Sequence, residues 1–274
     1  MILVAGGDSF IFGAELKDQI GGPSKSTYPA LLAKSNNMTY HCAAWPGNAN
    51  SAISRMTIDA CNECMEKKLS IGVIVTWSFT NRYEFRFNYY TGHKISPWHS
   101  INSWSIIDDF DEIKKEFKTH DENVFKHQKK DLSIGKELGT ADFAKVWYKH
   151  VGDSEYYELY SSLKEILFLQ YYLQTNNIPF LFLPADNHFY QHPNYFRQRD
   201  KYVDSLYNQI DWSKWYFFES GTKDNETKEP RGFYQWAVEN KYPVGTTHPL
   251  EEAHADAAKL IEEKFNVLVT KPLE

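Results

Sequence analysis

The chain alternates short apolar runs with longer stretches in which apolar residues return every three or four positions. Residues 1–6 (Met-Ile-Leu-Val-Ala-Gly) form an apolar run that stops at a glycine pair, which predicts a strand covered on both faces. Comparable runs at 38–44, 69–75 and 178–183 predict three more strands. Between them, 28–34 predicts a helix with Pro29 in its first turn. Residues 50–68 predict another, with Ile53, Met56, Ala60 and Cys64 on one face. Segments 155–174, 195–209 and 249–265 complete the helical pattern. Strands separated by helices predict an α/β fold, a three-layer α/β/α sandwich around a mainly parallel sheet.

The alternation fails between about 88 and 150, where charge clusters at 108–111, 114–118 and 127–131 sit among aromatics. This stretch is too long for a simple loop in a compact domain. It reads as an insertion with helical pieces into a single domain spanning 1–274, serving as a lid, as an interaction surface, or only as a solvated, charged helix pair.

Composition narrows the function. A chain of 274 residues, 42% hydrophobic, can bury one large core. Eight Trp, 18 Tyr and 18 Phe are many for the length; packing accounts for most of them, and aromatic faces also stack on the apolar C–H surface of sugars. With 30 basic against 36 acidic residues, net −6 and no basic stripe, the chain is not a binder of nucleic-acid polymers. No run of about 18 apolar residues exists to span a bilayer. The N-terminus runs straight into the first strand without a signal peptide, which predicts the cytoplasm of the cell that makes the protein. Cys61-Asn-Glu-Cys64 has metal-like or redox-like spacing, but with Cys42 as the only other cysteine it lacks a second ligand pair. The expectation is reduced cysteines on a helix, with no metal and no cofactor.

Candidate chemistry gathers at the two ends of the chain. Ser9, in Gly7-Asp8-Ser9, follows the first strand, and open α/β sheets bind ligands at the carboxyl ends of their strands. Its hydroxyl can enter that crevice and its backbone N–H can face an oxyanion, although Asp8-Ser9 is also a helix-capping pair. A serine needs a base to take its proton. His248, in the loop Gly245-Thr-Thr-His248-Pro249 before the last helix, is the best placed of the ten histidines. His254, six residues on and inside that helix, reads as a residue that packs or hydrogen-bonds to the loop and is the second choice of base.

Gly7-Asp8-Ser9, then Gly47 in Trp45-Pro-Gly47-Asn48-Ala-Asn50, a polar loop after the third strand, and His248-Pro249 before the last helix resemble, in that order, the SGNH/GDSL serine hydrolases. Trp77 with Arg82-Tyr-Glu84, Ile210-Asp-Trp212 with Trp215, and Gly232-Phe with Trp236 are also similar, more loosely, to members of that family common in tailed-phage genomes. The chain has no Gly-x-Ser-x-Gly and so does not resemble the α/β-hydrolases. The resemblance implies a flavodoxin-like sandwich, Ser9 as nucleophile and His248 as base. It also implies an oxyanion hole built from the Ser9 and Gly47 N–H groups and an asparagine side chain.

Two departures stand out. The family's Gly-x-Asn-Asp is absent after the third strand, where Thr76-Trp77-Ser-Phe-Thr80-Asn81-Arg82 stands instead. Asn81 is the first choice of amide donor, with Thr80 and Asn48 as alternatives. The family's aspartate three residues before the histidine is Gly245 here. That leaves a Ser–His dyad steadied by a backbone carbonyl, or a carboxylate from Asp186, Glu219 or Glu251. Asp8, Asn48, Trp77 and Arg82 are the candidate substrate contacts, Arg82 either as a planar fork for a carboxylate or phosphate or as an ion-pair partner of Glu84. The implied activity is ester hydrolysis through an acyl-serine, on a small-molecule or glycan ester such as an O-acylated sugar or nucleoside. Acyl transfer at the same Ser–His site is one alternative, and a catalytically degenerate binding protein is the other.

Overall fold

The four long apolar runs do pair side by side. In the computed structural model, which describes residues 1–87, 98–106, 139–187, 201–219 and 230–270, six strands are present: β1 (Ile2–Gly7), β2 (Thr39–Ala44), β3 (Ile71–Trp77), β4 (Tyr83–Arg86), β5 (Trp98–Ile101) and β6 (Phe180–Pro184). The main sheet is parallel throughout, in the order β2-β1-β3-β6. Ile2 lies opposite Thr39 on one side and Ile71 on the other, and Val73 lies opposite Phe180. This is the flavodoxin-like order, in which successive strands add first on one side of β1 and then on the other. The switch point falls between β1 and β3, and Ser9 follows the end of β1 directly. A parallel bridge from Phe182 to Trp215 continues the sheet beyond β6.

Helices cover both faces: α1 (Ser9–Phe12), α2 (Tyr28–Ser35), α3 (Asn50–Glu66), α4 (Thr140–Trp147), α5 (Glu155–Thr175), α6 (Lys201–Tyr207), α7 (Phe233–Glu239) and α8 (Glu251–Phe265). Side chains alternate across each strand, which makes two cores. Leu3, Ala5, Ile74, Leu181 and Leu183 pack toward α2, α7 and α8, with Tyr28, Phe233 and Phe265 among the buried residues there. Val4, Val73, Val75, Phe180 and Phe182 pack toward α3 and α5, against Ile53, Cys61, Leu163 and Ile166. The result is a three-layer α/β/α sandwich, as the pattern predicts. No helix among the described residues is long and apolar enough to cross a membrane.

The differences from the sequence reading are local. Helix α1 has four residues and α7 has seven, too few for a helical period to register. The last predicted helix starts at Glu251, and Pro249 instead forms a bridge with Val244. Of the predicted 195–209 helix, Lys201–Tyr207 is described and the residues before 201 lie outside the described set. Within the 88–150 segment, β5 pairs antiparallel with β4, and Phe143 and Trp147 of α4, with Tyr148 just after it, pack onto Tyr83, Phe85 and Ile101. Residues 88–97 and 107–138, which carry the predicted charged helices, lie outside the described residues.

One buried amide fixes the segment that leaves β3 toward the crevice. Asn50, at the start of α3, accepts from Ser78 N–H (2.9 Å) and donates to Ser78 C=O (3.3 Å) and Ser162 Oγ (3.0 Å). It thereby joins α3, the segment after β3, and α5. Asn50→Ala strands three buried polar groups, each costing about 1–3 kcal/mol when unpaired, so unfolding free energy should fall by about 2–4 kcal/mol. Denaturant titration of the variant checks this, and a loss under about 1 kcal/mol contradicts it.

Candidate active site

The site begins with the turn that ends β1. Asp8 has no exposure to water, so its charge must be satisfied inside the protein. One carboxylate oxygen accepts from Phe10 N–H (3.1 Å), capping α1, and the other accepts from Ser78 Oγ (2.5 Å) and Arg82 Nη1 (2.9 Å). Arg82 Nη1 also donates to Ser78 Oγ (2.8 Å), and the guanidinium lies over Phe79 at 4.8 Å. Asp8 therefore sets the backbone of the turn that presents Ser9.

Ser9 is the first residue of α1, where backbone N–H groups have no acceptor within the helix. Its hydroxyl meets His248 Nε2 at 2.8 Å, across 239 positions of sequence. His248 is held by a tight turn in which Gly245 N–H donates to His248 C=O (2.8 Å), closed by Leu250 N–H to Pro243 C=O (2.9 Å). The edge of Phe10, 5.0 Å away between ring centres, packs against the imidazole.

The other ring nitrogen meets a residue that sequence reasoning missed. His248 Nδ1 lies 2.9 Å from Thr247 Oγ1 and 3.2 Å from Glu15 Oε1. Thr247 also donates to Glu15 from its backbone N–H (3.3 Å) and its hydroxyl (3.3 Å). Burial pushes the Glu15 carboxyl up, but the hydrogen bond and charge of His248 and the N–H groups of Thr247 and Thr246 outweigh it. The net effect holds the group below the ordinary glutamate value, in its charged form at neutral pH.

Glu15 has φ 69°, the left-handed region that costs a non-glycine residue about 1–2 kcal/mol. Strain of that kind persists where neighbours over-determine it. Here Lys17 N–H donates to Glu251 Oε1 (2.8 Å) and Lys25 N–H donates to Asp18 Oδ2 (2.9 Å), pinning the loop to α8 and to its own far end. No local motif marks Glu15. The available signal was the missing side chain at 245, which left a histidine without its usual partner.

The remaining predicted residues divide. Trp77 is no substrate contact. It has no exposure to water and packs edge-on against Phe182 at 5.4 Å in the core beneath α3 and α5. Asp8 and Arg82 hold each other, so both shape the site from behind, and Glu84 pairs with Arg55 (Nε to Oε2, 3.1 Å) rather than with Arg82. Asn48 is buried with its amide on Gly7 C=O (3.0 Å) and Met56 Sδ (3.4 Å), and Thr80 donates to Glu158 Oε2 (3.1 Å). Both alternatives to Asn81 are thus committed elsewhere. Asn81 gives its backbone carbonyl to Tyr148 Oη (2.7 Å), and its side-chain amide has no hydrogen bond among the described residues. Gly47 adopts φ 82° with open space around its Cα, so backbone conformation selects glycine there. Of the carboxylates considered for His248, Glu251 receives Lys17 N–H, Glu219 is exposed, and Asp186 is buried after β6; Glu15 occupies the position instead.

Other candidate chemistry stays quiet. Cys61 and Cys64 are buried thiols on α3, and burial pushes Cys61 up to about 12. No group of three or more His, Cys, Asp or Glu among the described residues is arranged to hold a metal. No family model, no curated protein and no solved structure matches the chain.

His254 lies fully buried behind the site. Its Nδ1 accepts from Tyr28 N–H (3.2 Å), and its ring packs on Tyr28 and Phe233. Burial and the nearby His248 push it down to about 3, so it is neutral at working pH. The unfolded chain takes a proton near 6.5, the folded one only near 3. Stability is therefore complete above pH 6.5 and is lost as pH falls toward 3, by about 1.4 kcal/mol per pH unit from this group. His254→Gln should remove that much from the slope of unfolding free energy against pH between 6 and 4. Equal slopes in chemical denaturation would contradict the assignment.

Proposed function

We propose that the protein is a serine hydrolase of the SGNH/GDSL type that cleaves carboxylic esters. The observation that carries this reading is the 2.8 Å approach of Ser9 Oγ to His248 Nε2 at the carboxyl edge of the sheet. With Nδ1 donating toward Thr247 and Glu15, the Nε2 lone pair faces the serine hydroxyl, the tautomer a general base needs. Ser9 Oγ adds to the ester carbonyl as Nε2 takes its proton. The Ser9 and Gly47 N–H groups and the Asn81 amide receive the oxyanion. The tetrahedral adduct expels the alcohol, which leaves with the proton from Nε2. Water, deprotonated by the same nitrogen, then releases the acid and restores Ser9. The sum is ester plus water giving acid plus alcohol.

The substrate we assign is an ester on a sugar or a comparable amphipathic alcohol. Trp45, two residues before Gly47 in the chain, exposes 60% of its surface and rests against Phe12 of α1 at 5.3 Å, an aromatic surface open to an amphipathic ligand. The enzyme is expected to work in the cytoplasm of the cell that produces it.

On p-nitrophenyl acetate, Ser9→Ala and His248→Ala should each lower kcat/KM by at least about 10³-fold, and the double variant should be no worse than Ser9→Ala alone. Retention of a tenth of the wild-type rate by Ser9→Ala would sink the nucleophile assignment. A wild type that neither turns over the ester nor is labelled by a fluorophosphonate would leave the fold as a binding module.

A further inference from the structure

Glu15 reaches His248 because position 245 carries no side chain. A Cβ placed on Gly245 would lie 2.1 Å from Glu15 Oε2 and 3.2 Å from its Cδ, well inside contact distance. No side chain fits at 245 while the Glu15 carboxylate holds the imidazole. The relation also runs the other way. Aspartate carries its carboxyl directly on Cβ, so an aspartate at 245 would put its oxygens into the volume that the Glu15 carboxylate fills. Gly245 N–H donates to His248 C=O (2.8 Å), which fixes the 245 backbone relative to the ring.

We infer that Glu15 is the positioning acid of the Ser9–His248 pair, and that positions 15 and 245 are interchangeable origins for one carboxylate. This inference rests on the reading of Ser9 and His248 as nucleophile and base. The loop after α1 supplies the charge, and Gly245 is the complementary feature that admits it. The left-handed backbone at Glu15 and the backbone bonds of Lys17 and Lys25 belong to the same loop, from which the carboxylate reaches Thr247 and His248. The carboxylate acts through the imidazole, holding the Nδ1–H tautomer and favouring the cation that forms when Ser9 loses its proton.

The test compares wild type, Glu15→Ala, Gly245→Asp and the double variant on p-nitrophenyl acetate from pH 5 to 9. It also follows the imidazole N–H proton by NMR. Glu15→Ala should lose about 10²–10⁴-fold in kcat, and the acid limb of its profile should move to lower pH because the anion that favours the imidazolium is gone. Gly245→Asp alone should lose comparably, since two carboxylates then compete for one volume. Glu15→Ala with Gly245→Asp should recover to within about tenfold of wild type and restore the downfield Nδ1 proton that Glu15→Ala lacks. Thermal melts establish that each variant folds, and Glu15→Gln, which keeps the side-chain volume, replaces Glu15→Ala if that variant unfolds.

A Glu15 variant within threefold of wild type with an unchanged pH profile overturns the inference, as does a double variant no better than Glu15→Ala. A wild type that neither turns over the ester nor is labelled at Ser9 by a fluorophosphonate overturns the nucleophile reading and the inference with it. A labelled wild type that is indifferent to Glu15 overturns the inference alone.

Discussion

A carboxylate shut away from water governs this site. Asp8 sits at the end of β1 with no exposure, and an unpaired charge there would cost more than most single interactions return. Its partners are therefore dictated: the N–H of Phe10, the hydroxyl of Ser78 and the guanidinium of Arg82. Those partners come from α1 and from the segment that leaves β3. Satisfying one charge thus fixes the two chain segments that flank the switch point of the sheet. Asn50 locks the same Ser78 from the other side through its backbone. The backbone that carries Ser9 is set by this arrangement, and its hydroxyl then meets His248 Nε2.

The second constraint is the meeting of chain ends. The turn carrying His248 must lie against the loop after α1, and the contacts that achieve it are mostly backbone groups bonded to carboxylates: Thr247 N–H on Glu15 and Lys17 N–H on Glu251. Such bonds to charged acceptors are directional, so they position the imidazole more tightly than apolar packing would. Phe10 on one side and the buried, neutral His254 behind complete a cage around the ring without adding a competing charge. A neutral residue there leaves the Glu15 carboxylate as the nearest charge to His248 in the hydrogen-bonded set.

The sandwich was legible because β1, β3 and β6 are apolar runs buried on both faces, a signal that survives without relatives. Ser9 and His248 were legible for another reason: each sits beside a strand end or a helix start that the pattern itself defines. Glu15 was not legible. Its role comes from a left-handed backbone and from a gap at Gly245 more than two hundred positions away, and neither leaves a periodic trace. Trp77 misled because a strand buried on both faces gives no sign of where it leaves the core, and the tryptophan is its last residue. The hairpin β4–β5 was hidden by its four-residue strands, whose alternation is too brief to separate from the charged stretch around them.

If the Asp8-built turn presents Ser9 to His248 as an activated nucleophile, Ser9 stands apart in reactivity from every other hydroxyl of the chain. The most direct measurement is the location of the covalent adduct after reaction with a fluorophosphonate at neutral pH, by intact mass and peptide mapping. A single modification should be found, on Ser9, in a chain that has many other hydroxyls. An unmodified protein, or an adduct on a residue other than Ser9, would contradict it.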